Sequence, residues 1–215
     1  VLAHELGVPP DRAAAWRALS GGALRRVDCG VAEYRDRAGF AVRSHFAIVA
    51  GAGLDARAVE RVDLGLKRRI GKLAYVIAAL AALCRFRDEV ECEMNGRPFR
   101  GRVLLAGNGR LYAGDIPVFG DGSLGSGRLH LRAAREVGAG MLARCLWAYV
   151  TGGGVLEGAL LADAVPEVRL TPATEGVPLQ LDGEFVGWLP ARLSVLPGAL
   201  QVVVPAPPDA RDASG

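Results

Sequence analysis

Ile48-Val49-Ala50-Gly51-Ala52-Gly53-Leu54-Asp55-Ala56 is the stretch that decides between two architectures. The apolar run 46–50 reads as a strand, the glycine-rich turn comes next, and helical spacing starts at Arg57. The string fits G-x-G-x-x-A, the pattern in which a dinucleotide pyrophosphate rests on a helix N-terminus. That pattern also needs an acidic residue about 20 positions later, at the end of a second parallel strand, to hold a ribose. Here that distance falls at Gly71-Lys72-Leu73, inside a helical stretch. A doubly wound sheet is therefore set aside. Many short strands with two or three interspersed helices predict an α+β domain, mainly antiparallel and β-sandwich-like.

Working outward, 1–6 reads as the last turns of a helix closed by Gly7 and Pro9, so the numbering is expected to begin partway through a longer protein. A second short helix is expected over 11–19, and 23–34 alternates like a strand. In 64–86, Leu66, Ile70, Leu73, Ile77, Leu80 and Cys84 recur every three or four positions, with Lys67, Arg68, Arg69 and Lys72 gathered in the first half. That spacing predicts a helix with an apolar face and a cationic end. Asn95-Gly96, both tolerant of positive φ, predicts a hairpin between 88–94 and 99–106. A long loop is expected over 107–127, then a strand at 128–134 and a helix over 137–150. Strands at 167–170, 179–181, 193–196 and 200–204 close the fold, Asp182-Gly183 reads as a hairpin turn, and the 206–215 tail is expected to be disordered.

Composition narrows the function classes. Of 215 residues, 51% are hydrophobic and 23% charged, enough to build a proper core. A net charge of +3 is too small for the concentrated basic field of a nucleic-acid binder. Cys29, Cys84, Cys92 and Cys145 form no C-x-x-C pair, and His4, His45 and His130 assemble no catalytic or metal spacing along the chain. The longest apolar run, 73–84, is well short of the ~20 residues that span a bilayer. With no leader-like segment at the N-terminus, a cytoplasmic protein is expected.

Several segments, in order, resemble the diacylglycerol kinase and sphingosine kinase superfamily, and its bacterial members of the YegS type in particular. The stretch from Val1 to Pro9 resembles the segment just after the family's Gly-Thr-(Gly/Ala)-Asn turn, and Ile48 to Ala56 its alanine- and glycine-rich strand exit ending in Asp-Ala. Leu66-Lys67-Arg68-Arg69-Ile70-Gly71-Lys72 resembles a bacterial segment, and Asn108-Gly109-Arg110-Leu111-Tyr112 the family's Asn-x-x-Tyr turn. Asp182-Gly183-Glu184, with Leu196-Pro197-Gly198 further on, is similar to the closing Asp-Gly-Glu and the last strand.

The resemblance implies that residues 1–205 are the C-terminal, substrate-binding half of an ATP-dependent lipid kinase, without its N-terminal nucleotide-binding domain. It implies Asp182 as proton acceptor, Glu184 approaching the nucleotide, and Asn108, Tyr112, Arg68 and Lys72 as substrate contacts. ATP and magnesium would serve the complete protein, with none expected tightly bound to this chain. The partners implied are a diacylglycerol-like lipid, the inner membrane surface in peripheral contact, and the missing domain; a homodimer is left open. The family loop that holds a structural magnesium in some members has Gly125 and Ser126 where acids are expected, leaving Asp121 nearly alone. Two other functions stay open: a non-catalytic lipid-binding or interaction module that kept the fold, and a kinase for a small soluble substrate.

Overall fold

The computed structural model describes residues 1–61, 85–112, 114, 116–138, 140–141, 143–144, 147 and 160–206. The expected helix over 64–86, with Arg68 and Lys72, lies outside the described residues except at its end, and so does all of the expected tail but Ala206.

Two short helices, α1 (Leu2–Glu5) and α2 (Arg12–Ser20), precede the sheet. The side chain of Asp11 caps α2 by accepting from the Ala14 amide at 2.8 Å, which satisfies one of the orphan N–H groups of its first turn. Strands β1 (Ala23–Asp36), β2 (Ala41–Phe46) and β3 (Val49–Gly53) come next, and then α3 (Leu54–Arg61). The remaining strands are β4 (Val90–Met94), β5 (Arg97–Gly101), β6 (Val103–Gly107), β7 (Leu129–Ala134), β8 (Leu161–Val165), β9 (Glu167–Pro172), β10 (Pro178–Leu181) and β11 (Glu184–Val204).

Among the described residues every strand pairing is antiparallel, and the strands run in the order β5-β4-β9-β11-β10-β3-β6-β7-β8, with β1 pairing to β11 and β2 to β1. The two ends of this order meet. Asn95, at the tip of the β4–β5 hairpin, donates from its amide to the Asp163 carboxylate at 2.6 Å and from its side chain to the Ala162 carbonyl at 2.9 Å, both on β8. The sheet is thus curled back on itself, which gives the expected β-sandwich-like α+β fold. Asn95 and Gly96 both carry positive φ, 51° and 69°, as the hairpin turn at that dipeptide requires.

One apolar cluster fills the curl, with Ala50, Ala52, Leu104, Leu131, Leu170, Leu179 and Leu193 all at 1% exposure or less. A second, around Val27, Val49, Leu105 and Phe119, joins β1, β3 and β6 to the loop after β6, and Leu2 and Leu6 pack against it. Strand β3 lies between these clusters and is buried along its whole length. That explains why it reads as a continuous run of small apolar residues rather than an alternating strand.

Four local expectations are corrected. The run 46–50 is not one strand: β2 ends at Phe46 and β3 starts at Val49, because the Asp182 carboxylate draws the amides between them out of the ladder. Helix α3 begins at Leu54 rather than Arg57, since Gly53 turns the chain at φ 80° and the Leu54 amide donates to the Arg102 carbonyl at 2.9 Å. Segments 193–196 and 200–204 belong to one strand, β11, which runs on through Pro197-Gly198 while β1 matches it with a register shift between Val27 and Cys29. Strands β2 and β8 were not expected. Of the expected 137–150 helix, residues 137, 138, 140, 141, 143, 144 and 147 are described; the last five carry a helical assignment and the first two do not.

Candidate functional site

The Asp182-Gly183 turn joins β10 to β11, with φ of 49° and 85° at its two residues. Asp182 is exposed, as expected for a hairpin tip, yet its carboxylate is heavily engaged. Oδ2 accepts from the Ala47 amide at 2.7 Å, and Oδ1 accepts from Ile48 at 2.9 Å and Val49 at 3.0 Å. The Asp182 amide in turn donates to the Val49 carbonyl at 2.8 Å. Each carboxylate oxygen has two acceptor positions, so one remains, on Oδ2. Glu184 stands at the start of β11 and is exposed.

Behind the turn lies a set of polar side chains. Gln180, 1% exposed, accepts from the Gly183 amide at 2.7 Å through Oε1 and donates to Asp55 Oδ2 at 3.0 Å through Nε2. The other Asp55 oxygen accepts from the Tyr112 hydroxyl in a short hydrogen bond. Asp55 occupies the first turn of α3, where the helix dipole favours an acidic residue. Burial pushes its pKa above the ordinary carboxylate value, opposed by the hydrogen bonds from Tyr112 and Gln180.

The glycine-rich stretch of the sequence has its physical role here. A Cβ on Gly51 would collide with Asp55 Oδ2 and come within 2.6 Å of Gln180 Nε2. Glycine at 51 leaves the room in which the Asp55–Gln180 hydrogen bond crosses the strand, and no phosphate cradle is needed to explain it. Gly51→Ala is expected to part that pair and to destabilise the protein by ~1–3 kcal/mol, the usual result of overpacking. Chemical denaturation would show it as a lower midpoint at unchanged slope, and an unchanged midpoint would refute it.

Asn108 is fully buried and does not face solvent. Its side-chain amide donates to the Asp28 and Ala47 carbonyls, both at 2.9 Å, and its own amide donates to the Ile48 carbonyl at 2.7 Å. It therefore shapes the 47–49 bend from behind while Asp182 grips it from the front. Asp28, 3% exposed, accepts from the amides of Gly127 at 2.7 Å and Gly198 at 2.8 Å, so it anchors the long loop and the bend in β11 together.

Asp182, Tyr112 and Asn108 are thus brought into one hydrogen-bonded neighbourhood. Asp55 and Gln180, unassigned by sequence reasoning, belong to it as well. An acid in the first turn after a buried glycine-rich strand was the available signal for Asp55; Gln180 gave none, since a lone glutamine in a short strand has no spacing to read.

Asp121 lies apart from this neighbourhood's hydrogen bonds. Its Oδ1 accepts from Arg132 Nη2 at 2.6 Å, and Oδ2 is 3.8 Å from His130 Nδ1. Arg132 holds the Asp121 pKa below the usual range, while burial holds that of His130 down. A carboxylate already neutralised by a guanidinium, with glycine and serine in place of further acids, does not fit a structural magnesium. Among the described residues no group of three or more His, Cys, Asp or Glu side chains is placed to hold a metal ion, and no helix is long and apolar enough to cross a membrane.

Comparison with known proteins identifies the family of this curled antiparallel sheet. Residues 48–204 match the family model of the YegS C-terminal NAD kinase beta sandwich-like domain, and the chain belongs to that family. Crystal structures described as a diacylglycerol kinase from Bacillus anthracis str. Sterne share the fold, with TM-scores of 0.65 at 19% identity and 0.64 at 20%. Each comparison covers 94% of this chain and 64% of the other, so the chain spans just under two thirds of the length of the proteins it resembles. No curated protein matches the sequence.

Proposed function

We propose that this domain is the substrate-binding half of an ATP-dependent lipid kinase that phosphorylates a diacylglycerol-like hydroxyl, and that it is inactive without a nucleotide-binding domain. The reading rests on one observation above the others: a family β-sandwich domain presents Asp182 and Glu184 on an exposed turn that Gln180, Asp55 and Tyr112 hold from behind.

In this reading the lipid hydroxyl approaches Asp182, whose open acceptor position on Oδ2 takes the proton as the oxygen attacks the γ-phosphoryl group and the bond to the β-phosphate oxygen breaks, releasing ADP. The amides of 47–49 keep that carboxylate from rotating away, so its remaining lone pair has a fixed direction. Glu184, two residues on, faces the nucleotide. ATP with its magnesium would be held by the N-terminal domain, and the metal would supply charge neutralisation at the phosphoryl oxygens. Arg68 and Lys72 are proposed to contact anionic headgroups at the inner membrane surface, each cation near such a surface contributing ~1 kcal/mol. Tyr112 and Asn108 act indirectly, Tyr112 by holding Asp55 behind the turn and Asn108 by holding the 47–49 bend.

The test is ATP-dependent phosphorylation of diacylglycerol in mixed micelles. The complete protein should turn it over, and residues 1–215 alone should not. Activity in the isolated 215-residue chain would refute the second half of the proposal, and a complete protein inactive on lipid but active on a small soluble alcohol would refute the first.

A further inference from the structure

We propose that Glu5 is a positioning residue: from α1 it fixes, through the 110–112 backbone and the hydrogen bonds that follow it, the turn that presents Asp182 and Glu184. Helix α1 has no buried residue of its own, and Leu2 and the adjoining Leu6 pack against the second apolar cluster. Its polar hold on the rest of the domain is the Glu5 carboxylate, which accepts from the Arg110 amide at 3.0 Å and the Leu111 amide at 2.9 Å, one on each oxygen. Gly109 makes the approach close, since a Cβ there would sit 3.1 Å from Glu5 Cδ. Two amide donors on one carboxylate form charge-assisted bonds, roughly twice as strong as neutral ones, and fix both ends of the peptide they share.

The segment so held continues into Tyr112, whose amide donates to the Ile116 carbonyl at 2.8 Å and whose hydroxyl donates to Asp55. Asp55 accepts from Gln180 at 3.0 Å, and Gln180 accepts from the Gly183 amide at 2.7 Å, one residue from both Asp182 and Glu184. The run also closes behind itself. Asn108, two residues before Arg110, binds the carbonyls of Ala47 and Ile48, whose amides Asp182 holds. A shift of the 108–112 segment therefore reaches the turn by two routes. Its effect on turnover rests on the kinase reading above; its effect on the turn does not.

The experiment compares the parental complete protein with Glu5→Ala and Glu5→Gln. Amide hydrogen exchange reads the turn directly. Glu5→Ala should accelerate exchange at Leu111 and at Gly183 by ~10-fold, the scale on which loss of a hydrogen bond to a charged group acts, and leave the β4–β5 hairpin amides unchanged. Glu5→Gln, which keeps one acceptor, should lie between. Turnover of diacylglycerol should fall by ~10-fold in Glu5→Ala with KM for ATP unchanged, because misplacement of the site lowers kcat without removing a nucleotide contact. Faster exchange confined to 110–111, with Gly183 as slow as in the parent, would overturn the proposal. So would kcat at the parental value despite a loosened Gly183. If the parental protein phosphorylates no lipid, the kinase reading fails, and the exchange at Gly183 decides the role of Glu5 by itself.

Discussion

Replacing Arg57 by methionine is expected to cost ~3–5 kcal/mol of folding stability, the cost of breaking a buried ion pair from one side. Arg57 and Asp88 have side chains only 7% and 5% exposed and are joined by two hydrogen bonds, Nε to Oδ2 at 2.9 Å and Nη2 to Oδ1 at 2.6 Å. The same guanidinium donates to Glu60 at 2.7 Å and to the Gly176 carbonyl at 2.6 Å, and lies 4.7 Å from the centre of the Phe86 ring. One side chain thus joins α3, the chain entering β4, and the connection between β9 and β10. Methionine fills much of the volume but leaves the Asp88 carboxylate buried without a cation. Arg57→Met with Asp88→Leu should recover most of the loss, because a well-packed apolar pair often matches a buried ion pair in stability. A single variant within ~1 kcal/mol of the parent in chemical denaturation, or a double variant no better than the single, would contradict the account.

The residues that made the fold legible are those whose signal is local. Asn95-Gly96 announced its hairpin because positive φ at two successive positions restricts the choice of residue. The stretch 48–56 could be read against a doubly wound sheet because its missing acidic partner is a statement about spacing. Long-range effects left no such trace. The break at Ala47–Ile48 is made by Asp182, some 135 residues away, and no window of sequence around 46–50 contains it. Strand β8 was missed because its stretch is short and mixed, and what fixes it is β7 beside it and the Asn95 side chain at the far end of the sheet order. The site divides in the same way. Asp182 was legible because Asp-Gly is a turn signal and the family carries it. Asp55, Gln180 and Glu5 act through partners more than 50 residues distant, which only the folded chain brings near.

In the complete protein, Asp182→Asn is expected to lower turnover by ~10²-fold or more, the usual contribution of a positioned general base. The structure adds a second consequence. Asparagine offers one acceptor oxygen, enough for the Ile48 and Val49 amides, but it sets an N–H₂ group against the Ala47 amide, donor facing donor. The 47–49 bend should therefore loosen somewhat in the variant, and a lower rate alone would not separate lost proton acceptance from lost geometry. The pH dependence of kcat separates them. If Asp182 takes the hydroxyl proton, any acidic limb of the parental profile disappears in Asp182→Asn while a low, flat rate remains. If Asp182 only grips the bend, the variant keeps the parental limb at a reduced height, and the proton acceptor is another carboxylate. Asp55 is then the group to test, since burial raises its pKa and Tyr112 and Gln180 hold it in place. Asp55→Asn would in that case abolish the limb that Asp182→Asn left standing.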